Sequence, residues 1–279
     1  MSRVLINGIA SDYVSATDRG LHYGDGIFET IACIGTHPVF IEQHLNRMKI
    51  GAGKLKIPFP DRQMILDDIN CLLSGSSVNS VIKLVLTRGA GTRGYRYDAK
   101  QHPTRICLHS EWPDTVARWR THGISVRFCD TQLSLNPQLS GIKSLNRLDS
   151  VLASSELGSA FNEGFLSDID GYVIEGTMSN IFAVQNNVLI TPDLSRCGVN
   201  GIMREQVIDI ARENNIKVET RNLTRDELMG SSEIFVSNSV IGLCVVKQLE
   251  QQIYNADTMT NTINAVLAGR IEADAKAAA

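Results

Sequence analysis

The pattern of strand and helix signals changes near Ile124, and that change confines the chain to two differently built parts. Before it, extended and helical signals alternate. Residues 4–7 read as a short strand stopped by the turn pair Asn7-Gly8, and 27–34 and 38–41 as two strands joined through Gly35. A helix is expected from Glu42, with Leu45, Met48 and Ile50 among its apolar positions, and Asp61 can cap a second helix running toward Leu73. The β-branched run 80–87 and a partner strand at 105–109 complete this part. After Ile124, short strands at 125–129, 172–175 and 180–185 are separated by longer connections, and Asn186-Asn187 turns a hairpin into 188–191. Helices are expected at 145–157, at 202–213 and between Thr258 and Ala275, followed by an Ala-rich tail that should fray.

At 279 residues the chain is near the size, roughly 250–300 residues, at which single cores stop growing. Two parts sharing a cleft are therefore expected, with one large barrel as the alternative. The fold class is α/β in the α+β sense: a small α/β domain at 1–113, a linker at 114–123 just after Pro113, and a larger domain at 124–279. Lys and Arg number 27 against 30 Asp and Glu, a net charge of −3 without a long block of like charges, which leaves no electrostatic footprint for nucleic acid. The opening residues break at Asn7 before a secretory signal could form, and no apolar run approaches the ~20 residues of a membrane span. No membrane partner and a cytoplasmic location are expected. The six cysteines lie far apart and no histidine stands at zinc-ligand spacing, so they read as reduced, mostly buried small side chains, and no metal is expected.

Five features could carry chemistry. Lys143, in Ser140-Gly141-Ile142-Lys143-Ser144, stands between an extended segment and a helix start, where partial burial would make its amine nucleophilic; a solvated loop lysine is the alternative. Asn200-Gly201-Ile202-Met203-Arg204 opens an amphipathic helix whose first N–H groups could face a phosphate, or is an ordinary helix start. Ser237-Asn238-Ser239 offers donors at a strand end, and Arg47, on the first long helix, is either a matching cation or a surface residue. Glu175, at the end of a strand, could keep a pyridine nitrogen protonated or could sit in water.

Taken together, Asp25-Gly26-Ile27-Phe28-Glu29-Thr30, His44-x-x-Arg47, Gly141-Ile142-Lys143-x-Leu145-Asn146-Arg147-Leu148, Glu175-x-x-x-x-Asn180 and Gly198-Val199-Asn200-Gly201-Ile202-Met203-Arg204 resemble the fold-type IV pyridoxal-phosphate enzymes. Within that family they are most similar to the aminodeoxychorismate lyases. The resemblance runs from about Val4 to about Val246. It implies a small α/β domain and a larger pseudo-barrel β domain with flanking helices, with pyridoxal 5′-phosphate between them, in a homodimer whose active sites lie near the interface. Lys143 would hold the cofactor through an imine, and Glu175 would face its ring nitrogen. Arg47, the N–H groups of Ile202 and Met203, and the Ser239 hydroxyl would hold its phosphate, with Asn180 in the same cofactor-binding set.

The substrate implied is 4-amino-4-deoxychorismate, split into 4-aminobenzoate and pyruvate on the way to folate. Lys143 would be the base, and Thr30 occupies the family position that faces the substrate. Two substrate carboxylates need further donors, and in the glycine-rich stretch Arg88-Gly89-Ala90-Gly91-Thr92-Arg93-Gly94 the first choice is Arg93, on a loop able to close. The rival within the family is an aminotransferase for branched-chain or D-amino acids. Against it, Thr30-Ile31-Ala32 replaces the Gly-Ile-Arg type run of branched-chain enzymes, and 93–98 lacks the Arg-x-His of D-amino-acid enzymes. A cofactor carrier without turnover is a third possibility, disfavoured because binding alone requires neither Lys143 nor Glu175.

Overall fold

The computed structural model describes residues 3–255 and 258–277. The chain divides into two compact units. The first takes residues up to Trp112 together with Ile142–Asn146 and the residues from Ala273; the second takes Pro113–Gly141 and Arg147–Glu272. The linker expected at 114–123 is instead a helix of the second unit, α4 below, and Lys143 with its neighbours belongs to the first unit rather than to 124–279.

The first unit is built on six antiparallel strands: β1 (Arg3–Ile6), β2 (Ile9–Ala10), β3 (Gly26–Ile34), β4 (His37–Pro38), β5 (Ser80–Thr87) and β6 (Thr104–Glu111), in the order β2-β1-β6-β5-β3-β4. Its helices are α1 (Arg19–Tyr23), α2 (Ile41–Leu55) and α3 (Arg62–Leu73). Alternation on β3 sorts its side chains: Ile27, Glu29, Ile31 and Cys33 are buried on one face, while Phe28 and Thr30 stand half-buried on the other. Across the ladder, Leu86, Leu84 and Ile82 pair with Ile27, Glu29 and Ile31, and α2 and α3 add Leu45, Met48, Ile65 and Ile69 to the core. Asp61 caps α3 as expected, accepting from the Gln63 N–H at 2.7 Å.

Ile50, counted among the apolar positions of this helix, is 53% exposed. The buried stripe of α2 runs through His44, Leu45, Met48, Gly51 and Ala52, and a residue two places after Met48 falls on the opposite side of the helix. The strand expected at 38–41 ends at Pro38, because Phe40 takes a left-handed conformation (φ 53°) and starts α2 without a side-chain cap. Its N–H instead donates to Asp274 Oδ2 at 2.8 Å, and the same oxygen lies 2.9 Å from His37 Nε2.

The second unit adds α4 (Thr115–His122), β7 (Ile124–Leu133), α5 (Leu148–Ser155), β8 (Glu163–Asp168), β9 (Val173–Gly176), β10 (Asn180–Gln185), β11 (Val188–Pro192), α6 (Ile202–Glu213), β12 (Lys217–Arg221), α7 (Arg225–Met229), β13 (Glu233–Asn238), β14 (Gly242–Leu249), β15 (Gln252–Ile253) and α8 (Thr258–Ala277). The sheet order is β12-β11-β10-β13-β14-β7-β8-β9, with β15 on β14. The terminal strand β9 also packs beside β10 and β11, so the sheet curls back toward itself in the expected pseudo-barrel manner. Phe182 and Phe235 stack at 4.9 Å in its interior, and both are fully buried.

Asn186 and Asn187 both have positive φ, 50° and 62°, which is the hairpin turn their side chains favour. Helix α4 escaped the sequence because only Val116 on it is buried; it is fastened by Arg120 Nε, which donates to the Ile241 carbonyl at 2.8 Å. Helix α5 begins at Leu148, later than the expected 145, because Ser144 forms a β-bridge with Ile27. At its other end, Glu156 accepts from the N–H groups of Asp130 and Thr131. The tail remains helical to Ala277, and its last two residues lie outside the described ones.

The cysteines are free thiols, all buried except Cys71, and burial pushes those of Cys33, Cys129, Cys197 and Cys244 up to about 12. Among the described residues none of the helices is long and apolar enough to cross a membrane, and no group of side chains could hold a metal ion.

Replacing Phe182 by Ala should cost about 3–5 kcal/mol of unfolding free energy in a denaturant titration, whereas Ile50→Ala should change it by less than about 0.5 kcal/mol. A loss under about 1 kcal/mol for Phe182→Ala would mean that the stack is not the centre of its sheet.

Candidate active site

In the first unit, residues 143–145 run along the start of β3. The Phe28 N–H donates to the Lys143 carbonyl at 2.9 Å and the Leu145 N–H to the Gly26 carbonyl at 3.0 Å. Gly26 is required here, since a Cβ would stand 2.7 Å from both Leu145 Cδ1 and the Leu86 carbonyl oxygen. The half-buried Lys143 carries its Nζ 4.4 Å from the centre of the Phe28 ring.

Next to it lies a buried charge cluster. Arg47 Nε donates to Glu29 Oε1 at 2.9 Å, Arg47 Nη2 donates to Oε2, and His44 Nδ1 lies 2.6 Å from Oε2. His44 and Arg47, three residues apart on α2, share a face with this β3 carboxylate. Burial alone would raise the Glu29 carboxyl, but the Arg47 charge and the hydrogen bonds from His44 and Arg47 prevail and hold it at about 2. For His44 burial dominates and, with the charges of Arg47 and Lys143, keeps the imidazole below its usual value against the pull of Glu29. The ring is therefore neutral, with Nδ1–H donating to Glu29 and Nε2 buried without a partner among the described residues.

Thr30 lies two residues beyond Phe28 on the same face and pairs in register with Lys83 of β5, whose Nζ is 5.0 Å from the Phe28 ring centre. One aromatic ring thus has two ammonium groups beside it. Lys83 was not picked out from the sequence, because only the β3–β5 register reveals it. The glycine-rich stretch behaves differently from expectation. Arg88 is buried, chelating Asp25 at 2.7 and 3.0 Å, donating to the carbonyls of Leu55 and Lys56, and stacking 3.7 Å from the Tyr97 ring centre, so it is structural. Arg19 anchors the Gly94 and Tyr95 carbonyls, and Arg93 is exposed between these fixed points.

In the second unit, Glu175 is buried at the end of β9. Its Oε2 accepts from the Val199 N–H at 2.7 Å, and its Oε1 is 3.8 Å from Arg147 Nη1. Gly198, with φ 87°, has no space for a Cβ against Leu194, Ile174 and Glu175. The segment it begins ends at Gly201, the N-cap of α6, which offers no side chain to the N–H groups of Ile202 and Met203. Asn180 Nδ2 donates to the Val199 carbonyl at 2.8 Å, and Asn180 pairs in register with Ser237, whose buried Oγ has no partner among the described residues. Ser239, the hydroxyl singled out from the sequence, is half-buried two residues further on in the turn between β13 and β14. Arg204 is spent on structure, bonding Thr191, Asn200 and Pro192.

A second residue missed by sequence reasoning is Glu163. Fully buried, it accepts from the N–H groups of Gly164 and Thr177 at 2.9 Å and from the Thr177 and Ser179 hydroxyls, so it fastens the loop joining Glu175 to Asn180. Burial pushes its carboxyl up despite these bonds. Each unit by itself holds groups that suit a part of pyridoxal phosphate: the first an amine near an aromatic ring, the second a carboxylate aimed by a backbone N–H, an uncapped helix start and a buried hydroxyl without a partner among the described residues.

A family model described as amino-transferase class IV matches residues 26–249. The aminodeoxychorismate lyase of Vibrio harveyi is 32% identical over 243 residues, 86% of this chain and 89% of that protein. A Methanocaldococcus jannaschii protein, provisionally assigned as a branched-chain-amino-acid aminotransferase, is 34% identical over 247 residues, 87% of this chain and 84% of that protein. The crystal structure of 4-amino-4-deoxychorismate lyase from Pseudomonas aeruginosa matches with a TM-score of 0.90 at 34% identity, covering 95% of this chain and 98% of that one. The fold is that of the fold-type IV enzymes.

Because the Glu29 carboxyl sits at about 2 in the folded chain against an ordinary 4.5, the stability it contributes is complete above pH 4.5 and is lost as the pH falls toward 2. Between pH 5 and pH 3 the wild-type chain should lose on the order of 1–2 kcal/mol more unfolding free energy than Glu29→Gln, measured by denaturant titration at each pH. Equal losses would remove the ionised Glu29 from the cluster.

Proposed function

The chain belongs to the amino-transferase class IV family, and from that premise we propose that it is a pyridoxal-phosphate-dependent lyase converting 4-amino-4-deoxychorismate to 4-aminobenzoate and pyruvate. The observation that carries this reading is the Phe28 ring with Lys143, from the segment beside β3, and Lys83 of β5, opposite Thr30, both close to it. A second ammonium some ångströms from the reactive amine suits a substrate whose carboxylates are remote from its amino group, as they are on an aminocyclohexadiene ring. The two lyase relatives point the same way.

When bound, pyridoxal 5′-phosphate supplies an electron sink for the pair left behind at the nitrogen-bearing carbon. Lys143 would hold the cofactor through Nζ and would serve as the base that takes the proton from the ring carbon bearing nitrogen. Glu175, oriented by the Val199 N–H, keeps the pyridine nitrogen protonated. Arg47, the N–H groups of Ile202 and Met203, and the Ser239 hydroxyl take the phosphate, while Asn180 fixes the Val199 carbonyl that precedes the helix start. Breaking the carbon–oxygen bond to the enolpyruvyl group aromatises the ring, and the released enol becomes pyruvate. Thr30 orients the substrate or passes a proton, and Arg93 takes a carboxylate. The enzyme works in the cytoplasm on a small molecule as a homodimer, which would cover Leu148, Val151 and Leu152, exposed apolar residues on α5.

A second reading, a branched-chain or D-amino-acid aminotransferase, uses the same lysine, glutamate and phosphate groups, and the archaeal relative favours it. Thr30-Ile31-Ala32 and the absence of an Arg-x-His at 93–98 weigh against it. The purified protein loaded with pyridoxal phosphate should release 4-aminobenzoate and pyruvate in equal amounts over many turnovers with no keto acid present. An aminotransferase would stop after one half-reaction. Lys143→Ala should lower turnover by about 10³-fold or more. Unchanged turnover in that variant would remove Lys143 from the chemistry.

A further inference from the structure

Arg47 meets the cofactor phosphate in the reading above, and its orientation is fixed by a residue that reading leaves without a role. Two of its guanidinium nitrogens are engaged by the two oxygens of Glu29, a fork-to-fork pair that sets the plane of the group as well as its position. Glu29 Oε2 in turn accepts from His44 Nδ1. Glu29 is 1% exposed and His44 is not exposed at all. Stability does not explain such a cluster, since a buried ion pair commonly does no better than apolar side chains of the same volume. Phosphate attraction does not explain it either, because a carboxylate beside the arginine weakens the field that a dianion would feel. What the pair supplies is orientation. Arg otherwise carries about 2 kcal/mol of rotamer entropy, which a ligand would have to remove on binding.

We propose that Glu29, steadied by His44, is a positioning residue that holds the Arg47 guanidinium in the orientation that receives the phosphate of pyridoxal phosphate. The inference rests on the reading of Arg47 as a phosphate ligand. It extends that reading to the carboxylate that holds Arg47. Charge and orientation make opposite predictions for Glu29→Gln. If Glu29 only neutralised Arg47, removing its charge would tighten phosphate binding. If it positions Arg47, the amide NH2 that replaces one oxygen faces a guanidinium N–H, the fork is broken, and phosphate binding weakens.

The test compares dissociation constants for pyridoxal phosphate and for pyridoxal, which lacks the phosphate, by absorbance titration of the apoprotein. In Glu29→Gln the constant for pyridoxal phosphate should rise about 10- to 100-fold, the scale of losing an orienting partner, while that for pyridoxal stays within about 2-fold. In an Arg47→Met background, Glu29→Gln should add nothing, because there is no guanidinium left to orient. Tighter or unchanged pyridoxal phosphate binding, equal weakening of both ligands, or a persisting effect without Arg47 would each overturn the proposal. Should Glu29→Gln fail to fold, Glu29→Asp, which keeps the charge but withdraws it, should give the same phosphate-selective loss. Loss of folding in both would make Glu29 a structural residue and end the proposal. Wild-type protein that takes up neither ligand would instead sink the cofactor reading itself, an outcome visible before any variant is made.

Discussion

Two backbone hydrogen bonds decide where the amine of Lys143 stands. With the Phe28 N–H on the Lys143 carbonyl and the Leu145 N–H on the Gly26 carbonyl, residues 143–145 are tied alongside the start of β3, and a lysine in a connection acquires a backbone anchored to the sheet. Much of the surrounding sequence is explained by what that pairing requires. Gly26 is bare because Leu145 and the Leu86 carbonyl occupy the space a side chain would need, and Gly24 takes a left-handed turn against Asn146. Asp25, between them, is locked by Arg88 and Arg19, whose bonds and charges overcome the burial that would otherwise raise its carboxyl and keep it below the usual range. The Asp-Gly-Ile-Phe run is therefore a docking edge for the lysine peptide.

The second unit uses the same device with a different group. Glu175 is aimed by a main-chain N–H, and the approach of that N–H depends on a glycine, Gly198, where a Cβ would meet Ile174 and the carboxylate itself. Orientation by backbone is harder to disturb than orientation by side chain, because it has no rotamer to change. In both units a glycine makes the room and a peptide group does the aiming. Glu163 then secures the loop between Glu175 and Asn180, so these two residues are held five positions apart in sequence by a third from a neighbouring strand.

What could be read from the sequence was local. The start of α6 at Ile202, the Asn186-Asn187 hairpin, the Asp61 cap and the strand at 80–87 each rest on residues within a few positions of one another, and each is found as expected. Family resemblance supplied Lys143, Glu175 and Arg47 as a set. Lys83 and Glu163 were invisible because their meaning lies in pairing across strands, one opposite Thr30 and the other beneath a loop fourteen residues away. Ile50 misled because an apolar residue on an amphipathic helix need not lie on its buried stripe, and α4 was missed because a single buried valine leaves no periodic signal. The return of 142–146 to the first unit could not have been anticipated, since no composition change marks it.

The acid that serves the N-terminus of α2 has a consequence for how the protein is made. Phe40 and His37 both bond to Asp274, more than 230 residues later in the chain, so the helix bearing His44 and Arg47 lacks its terminal acceptor until some 270 residues have been synthesised. On the ribosome, the N-terminal sheet can assemble early, but the helix that carries Arg47 remains open at one end until translation has almost passed through α8.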